Sequence, residues 1–372
     1  MAGWAANAHN SLPVASIEGD FAMPEHDSVD AEMHSVRQLL QLINASWMSQ
    51  ALHVAARLGL ADLLAAGPRS TLELAASTQT SPRALYQLLR ALCTLGICHQ
   101  LDGERFQISS TGTLLGSHAR FSVRGWAIYW GGAAWKNWEH LLYSVRSGAS
   151  ARALVTGAEG FAHLDRDPEA AAIFNQAMVD LTRIVAHDVV RSYDFGSRRV
   201  IDVGGGYGEL LAAILAANPA ASGVLLDRPH AISQARGLFG QRGLEGRCAF
   251  VAGDFFESVP PDGDLYVLKS IIHDWDDERA AMILKTCRRN MPPAARVLLI
   301  ERVMPHRMAV TSQDQLLAQT DLNMLVALGS YERTAEQYSE LLSEAGFRNV
   351  RFSLTGSTFS LMEAEVAQNG VR

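Results

Sequence analysis

The sequence predicts an α/β protein in which a helical first half precedes a largely parallel β-sheet covered by helices. Three observations predict it. From about Val36 to Tyr193 apolar residues recur three and four positions apart, which is helical spacing. After Ser197 this spacing gives way to short β-branched runs separated by helix-length stretches. The first run leads through "VGGGYG" directly into a helical pattern, an order typical of ligand-binding α/β sheets.

Length and composition indicate a two-domain globular protein. The chain has 372 residues, of which 48% are hydrophobic and 19% charged, so it can bury large cores. A net charge of −7 offers no general attraction to nucleic acid or to anionic membranes. The four cysteines form no CxxC pair, and no apolar run approaches the roughly 20 residues that span a bilayer. We expect a cytoplasmic protein with neither disulfides nor a metal.

Residues 1–30 mix proline, glycine and acids without period, which predicts a flexible arm. Helices follow, and Ser70 with Glu73 forms a capping box before one of them. Ser81-Pro82 opens the next helix, and Asp102-Gly103 is the turn of a hairpin. Two helices and a hairpin outline a winged helix, a fold often used to bind DNA.

The helix that would enter the DNA groove is poor in basic residues. It offers only Arg83 and Arg90 to phosphates, while leucines such as Leu85 and Leu88 crowd its surface. We therefore expect a packing or dimer surface here. A winged-helix regulator that senses a metabolite is kept as an alternative.

The helical stretch from about Phe121 to Tyr193 is rich in aromatic residues. Most of its tryptophans and tyrosines are expected in the core. Gly131 and Gly132 among them leave room for a flat group near the backbone, which weakly suggests a planar aromatic ligand.

Five apolar runs after Ser197 predict the parallel strands: "RRVIDVG", "SGVLLD", "RCAFVAGD", "DLYVLKS" and "ARVLLIE". Two further strands in "VRFSLTGSTFSLMEAEV" are joined by a turn through Gly356-Ser357. A connection this short requires these two strands to pair antiparallel.

The glycine turn favours S-adenosylmethionine over a dinucleotide. Its glycines, Gly204, Gly206 and Gly208, follow a G-x-G-x-G spacing, and Glu209 stands where a dinucleotide site has its third glycine. Carboxylates at Glu209 and Asp202 would repel a pyrophosphate but attract an ammonium and a sulfonium. A simple tight turn is the alternative.

The ends of the next two strands add to this site. Asp227 is placed to accept hydrogen bonds from ribose hydroxyls, a feature that fits NAD equally well. Asp254 and Phe255 could hold an adenine amino group and ring. For Asp254, capping of a turn is an equally good interpretation.

His273, in "LKSIIHDWDDERA", follows the fourth strand and lies at the same sheet edge as the glycine turn. A neutral imidazole at pH 7 can remove the proton of a hydroxyl during methyl transfer. Glu301 ends the neighbouring strand and Glu332 lies in the loop "GSYERT"; either could orient the imidazole. The alternative for each glutamate is a surface ion pair with Arg302 or Arg333.

From about Val36 to Val366 the chain resembles the small-molecule O-methyltransferases of the caffeic acid and hydroxyindole type. "DVGGGYG", "HDWDDE", "IER" and "ERT" carry the resemblance, and "VGGGYGELLAAILAANPAASGVLLDR" is similar to bacterial phenazine methyltransferases. It implies a winged-helix-like dimerisation domain and a class I methyltransferase domain, Rossmann-like with a seven-stranded mixed sheet. It also implies a homodimer.

The resemblance assigns roles by position. The catalytic residues it implies are His273, Glu301 and Glu332. The cofactor-binding residues are Asp202, Gly204, Gly205, Gly206, Asp227, Asp254, Phe255 and Lys269. The acceptor-binding residues are Phe174, Met178, Trp275, Asn323 and Met324. Tyr331 departs from the family pattern because it replaces a small or basic residue, which affects the expected size and polarity of the acceptor.

These observations predict an S-adenosylmethionine-dependent O-methyltransferase acting on a phenolic or N-hydroxyl group of an aromatic secondary metabolite. Relatives that use the bound cofactor for hydroxylation, decarboxylation or a pericyclic step are the alternative within this fold. The expected regions are an arm at 1–30, a dimerisation domain at 31–115, a helical linker lining the acceptor pocket at 116–195, and a methyltransferase domain at 196–372.

Overall fold

The computed structural model describes residues 25–367. The first helix begins at Glu25, inside the segment predicted as an arm, and the rest of that arm lies outside the described residues. Among the described residues, none of the helices combines the length and apolarity needed to cross a bilayer.

The first half of the described chain is helical apart from three short strands. Its helices are α1 (Glu25–Leu58), α2 (Leu60–Leu64), α3 (Thr71–Thr78), α4 (Pro82–Thr94), α5 (Arg124–Gly131), α6 (Ala133–Trp138), α7 (Leu141–Ser147), α8 (Ala151–Thr156) and α9 (Pro168–Ser192). Its strands are β1 (Arg69–Ser70), β2 (Cys98–Leu101) and β3 (Arg105–Ile108), in the order β1-β3-β2.

Local sequence signals act here as predicted. The Ser70–Glu73 capping box begins α3, Pro82 is the first residue of α4, and Gly103 takes a positive φ in the turn between β2 and β3. The prediction that leucines crowd the surface of α4 is wrong. Leu85 lies in the core formed by α2, α3, α4 and the hairpin, and Leu88 is half-buried against it. Arg83 and Arg90 lie on the exposed face of this helix.

The second half contains the large sheet. Its strands are β4 (Arg199–Val203), β5 (Ser222–Asp227), β6 (Cys248–Ala252), β7 (Leu265–Lys269), β8 (Arg296–Met304), β9 (Arg333–Thr334), β10 (Phe347–Leu354) and β11 (Phe359–Val366). Its helices are α10 (Glu209–Ala217), α11 (Pro229–Gln241), α12 (Asp277–Asn290), α13 (Ser312–Leu328) and α14 (Ala335–Glu344).

Seven strands follow the order β10-β11-β8-β7-β4-β5-β6, and the two-residue β9 pairs with the end of β8. The strands β4 to β8 are parallel, whereas β10 and β11 form the predicted antiparallel hairpin and β11 pairs antiparallel with β8. The seven-stranded mixed sheet of a class I methyltransferase is confirmed.

Alternate residues of each central strand face opposite cores. Ile201 and Tyr266 pack towards α12 and α14, while Val200 and Leu265 pack towards α9, α10 and α11. Because both faces are covered, the strands are apolar throughout, and polar groups concentrate where the strands end. The site lies at that edge.

Candidate active site

The glycine turn between β4 and α10 forms a tight loop at the carboxyl edge of the sheet. Gly204 and Gly206 take φ of 70° and 61°, values that side chains other than glycine rarely adopt. The Asp227 carboxylate at the end of β5 accepts the Gly206 N–H at 2.7 Å. A Cβ on Gly205 would collide with the Asp202 carboxylate. The turn is therefore shaped for close approach by a ligand.

Asp202 is a buried carboxylate with an unsatisfied oxygen. It is 1% exposed, and its Oδ2 has no hydrogen-bond partner among the described residues. Burial, reinforced by the negative charge of Asp227, raises the pKa of Asp202 to about 7. A cation at this position would stabilise the ionised form, which fits the ammonium and sulfonium of S-adenosylmethionine.

Glu209 does not play the part predicted for it. It is buried, and its carboxylate is paired with Arg183 of α9 at 3.2 Å and with Arg242 at 2.8 Å. Two guanidinium groups neutralise it, so it cannot attract a cationic ligand. The charge argument for the cofactor therefore depends on Asp202 and Asp227 without Glu209.

The remaining predicted cofactor residues border the same turn. Phe255 lies against Gly204, where an added Cβ would be 3.3 Å from its ring. Asp254 is exposed, and its Oδ1 accepts the Phe256 N–H at 2.8 Å, which is the turn-capping geometry considered as its alternative. Lys269 donates to Thr182 of α9 at 3.0 Å. Burial and then the charge of Arg302 lower the pKa of Lys269 to about 8.

His273 lies in a short 3-10 turn after β7, is buried, and is surrounded by carboxylates. Its Nδ1 is 3.1 Å from both oxygens of Glu332 and 3.6 Å from Glu301. Its Nε2 is 3.4 Å from Asp274, which sequence reasoning did not single out. The structure thus brings together the three predicted catalytic residues, and both glutamates are buried. Glu332 also lies 3.9 Å from Nη1 of Arg302, so that ion pair exists but is buried and not at the surface.

Glu332 and Glu301 make different contacts around His273. Glu332 contacts the imidazole directly, whereas Oε1 of Glu301 accepts the main-chain N–H groups of Ile271 and Ile272 at 2.9 and 2.8 Å. Because β7 and β8 are adjacent and parallel, Glu301 reaches across to the turn that carries His273. Glu301 therefore positions the backbone, and Glu332 orients the ring.

The protonation state of His273 differs from the prediction. Burial alone would lower its pKa, but Glu332, Glu301 and Asp274 outweigh burial and raise the pKa of His273 to about 10. Burial also raises the pKa of Glu301 to about 7 and that of Asp274 to about 6. Without bound ligands these carboxylates therefore favour the imidazolium, whereas the sequence predicts a neutral imidazole.

Arg333 is fully buried and holds the turn that carries His273 in place, whereas the sequence suggested it only as a surface ion-pair partner of a glutamate. Its guanidinium donates to the carbonyl oxygens of Ile272 at 3.0 Å and Trp275 at 2.7 Å, and to Asp277 at 2.8 Å. Tyr331 stacks on this guanidinium and donates to the same Asp277. The unusual tyrosine thus has contacts that secure the turn.

The predicted acceptor residues lie in three surroundings. Phe174 on α9 packs edge-on against Tyr129 with ring centroids 5.6 Å apart, and Met178 lies half-buried one helical turn later. Asn323 accepts the indole N–H of Trp138 at 3.3 Å, beside the buried Met324. Trp275 instead packs on Phe255 and Phe256, the aromatic pair beside the glycine turn.

Helix α9 packs on both α5 and α10. On one side Asp180 accepts the main-chain N–H groups of Gly125 and Trp126, at the start of the aromatic α5. On the other side Arg183 pairs with Glu209 at the start of α10. The same helix therefore supports the aromatic cluster and the glycine turn.

Comparison with known proteins agrees with this geometry. Residues 138–348 match the family model of the O-methyltransferase domain, and residues 40–115 match that of the O-methyltransferase dimerisation domain. The phenazine O-methyltransferase PhzM of Lysobacter antibioticus is 40% identical over 88% of this chain and 95% of that protein. The O-demethylpuromycin-O-methyltransferase of Streptomyces alboniger is 38% identical over 90% of each chain.

Solved structures give the same result. The crystal structure of LaPhzM has a TM-score of 0.85 at 39% identity, covering 89% of this chain and 99% of its own. Human N-acetylserotonin methyltransferase in complex with SAM has a TM-score of 0.83 at 27% identity, covering 90% and 98%. The chain therefore belongs to the O-methyltransferase family, and it is an S-adenosylmethionine-dependent O-methyltransferase.

Proposed function

We propose that the acceptor is a phenolic or N-hydroxyl group on an aromatic secondary metabolite, and that His273 removes its proton during methyl transfer. The observation that carries this proposal is the buried imidazole held by Glu332 at the same sheet edge as the glycine turn. Relatives that act on phenazine, mitomycin and puromycin precursors support an aromatic acceptor.

The tautomer follows from the contacts of the ring. Glu332 faces Nδ1, so Nδ1 carries a proton and donates to the carboxylate. This leaves Nε2 to accept the proton of the acceptor hydroxyl, with Asp274 close to it. Glu332 then stabilises the imidazolium that forms.

The cofactor supplies an electrophilic methyl group, and Asp202, Asp227, Lys269 and the glycine turn would hold it. A bound sulfonium would place positive charge at the sheet edge that carries His273, and a nearby like charge lowers the pKa of an imidazolium. His273 therefore loses its proton more readily when the site is loaded. This restores the basic form that the reaction needs.

The aromatic cluster supports a flat acceptor. Tyr129, Trp130, Phe161 and Phe174 pack with neighbouring centroids 5.6–5.7 Å apart. Helix α6 follows α5, which carries Tyr129 and Trp130, and α13 contacts both α6 and the turn that carries His273, so the cluster and this turn lie on adjoining elements. An acceptor stacked here would have its edge near His273.

We also propose that the enzyme is a homodimer with the domain limits 31–115, 116–195 and 196–372. Helix α1 supports this, because its large apolar side chains at Leu39, Leu42, Ile43 and Trp47 are each more than half exposed. Most of these residues fall in the part matched by the dimerisation model. Sedimentation at micromolar concentration tests the state of assembly.

The central experiment measures transfer of labelled methyl to hydroxylated phenazines and naphthoquinones. We expect His273→Ala to lower kcat by about two to four orders of magnitude, the range of a general base, with cofactor binding by calorimetry unchanged. A chelator should not alter the rate, since the proposed mechanism uses no metal. Full activity of His273→Ala would refute the role of His273.

A further inference from the structure

Arg152 is a buried cation that keeps two N–H-bearing nitrogens without a partner among the described residues. It lies on α8, is 3% exposed, and its Nε and Nη2 have no hydrogen-bond partner among the described residues. Its guanidinium lies over the ring of Phe161 at 4.9 Å. A guanidinium does not lose its proton in proteins, and a buried charge is costly unless it is paired.

Six other arginines of the described chain are paired with carboxylates. These ion pairs are made by Arg183, Arg228, Arg242, Arg296, Arg302 and Arg333. Arg152 forms none among the described residues, although it is more deeply buried than several that do. An anion from outside the chain would complete its contacts.

The guanidinium points to the aromatic cluster. Phe161 packs on Phe174 with centroids 5.6 Å apart, and Phe174 packs on Tyr129. Helix α8 packs on α13, and α13 contacts the 3-10 turn that carries His273, so Arg152 and His273 lie on elements with a common neighbour. Burial raises the pKa of Asp274, the residue next to His273, and the charge of Arg152 opposes this rise.

We propose that the acceptor carries a carboxylate and that Arg152 binds it, presenting the neighbouring hydroxyl to His273. This inference rests on the proposed function and narrows its substrate class to hydroxylated aromatic acids. Nε and Nη2 form one edge of the guanidinium, and two N–H groups on one edge match the two oxygens of a carboxylate. The ring of such an acid would lie among Tyr129, Phe161 and Phe174.

The test uses matched pairs of acceptors: a hydroxynaphthoic acid with its naphthol, and a hydroxyphenazine carboxylic acid with its hydroxyphenazine. We expect the wild-type enzyme to favour each acid by about 10- to 100-fold in kcat/KM, the value of a charge-assisted pair. Arg152→Gln should remove this preference while activity on the parent phenols persists. Arg152→Lys should keep part of it, and the exposed Arg146→Gln is the control.

Calorimetry of the same acids with the S-adenosylhomocysteine-loaded enzyme gives a readout that does not depend on turnover. Weaker binding of the acids alone in Arg152→Gln supports the proposal. An unchanged acid preference, or an equal loss for acids and phenols, would overturn it and assign Arg152 a structural role. If acids bind through Arg152 but no acceptor is methylated, the proposed function fails while the carboxylate site stands.

Discussion

Replacing Glu332 by glutamine tests how the imidazole is held. The carboxylate is 3.1 Å from Nδ1 of His273, and at an effective dielectric of about 20 two charges at that distance attract by about 5 kcal/mol. Burial opposes this attraction and lowers the pKa of His273, while Glu332 makes the largest of the three carboxylate contributions that raise it. Removing the charge of Glu332 should therefore lower the pKa of His273.

We expect Glu332→Gln to lower kcat by about 100-fold, because the imidazolium formed during proton transfer loses its partner. The acidic limb of the pH–rate profile should move to lower pH, since a less basic His273 stays deprotonated at lower pH. Glu301→Gln is the matched control: its amide oxygen can still accept from Ile271 and Ile272, so we expect a loss of at most about tenfold.

Single-turnover transfer of labelled methyl between pH 5 and pH 10 is the assay. The single variant His273→Ala and the double variant that combines His273→Ala with Glu332→Gln should be almost equally slow, because the two residues act as one unit. Equal effects of the two glutamine variants, an unmoved acidic limb, or additive losses in the double variant would each refute the division of roles between Glu301 and Glu332.

Two further predictions concern the turn and the cofactor site. Arg333→Met should lower the free energy of unfolding in urea by about 3 kcal/mol, because the carbonyls of Ile272 and Trp275 lose their buried donor; a loss below about 1 kcal/mol would contradict this. Affinity for S-adenosylmethionine should rise about tenfold from pH 6 to pH 8, because Asp202, with a pKa of about 7, attracts a cation only when ionised. Calorimetry should show that Asp202→Asn binds S-adenosylmethionine more weakly and with an affinity that does not change with pH. If the affinity of this variant still changed with pH, Asp202 would be excluded as the cause of the pH dependence.

The strands and the sheet-edge residues could be predicted because their signals are local. The run before Gly204 and the run before His273 each identify a strand and the loop that follows it. Parallel strands bring such loops to one edge, so the meeting of His273 with Glu301 followed from the fold alone.

Other features could not be predicted because they depend on distant partners. The sequence predicts that Glu209 attracts a cationic ligand, yet Arg183 and Arg242, well before and after it in sequence, neutralise its charge. Arg152 lies in a short helix with no motif, and only the folded chain places it beside Phe161. The pKa of His273 likewise depends on three carboxylates whose combined effect the sequence did not reveal.

The double attachment of α9 has a consequence for redesign. A substitution on its buried face, such as at Asp180, would disturb the support of Gly125 and Trp126 and strain the Arg183–Glu209 link that steadies the glycine turn. New acceptor preferences are therefore more safely sought at Phe161, which lies before α9 in the chain and packs on its Phe174. A change there leaves Asp180 and the Arg183–Glu209 pair in place.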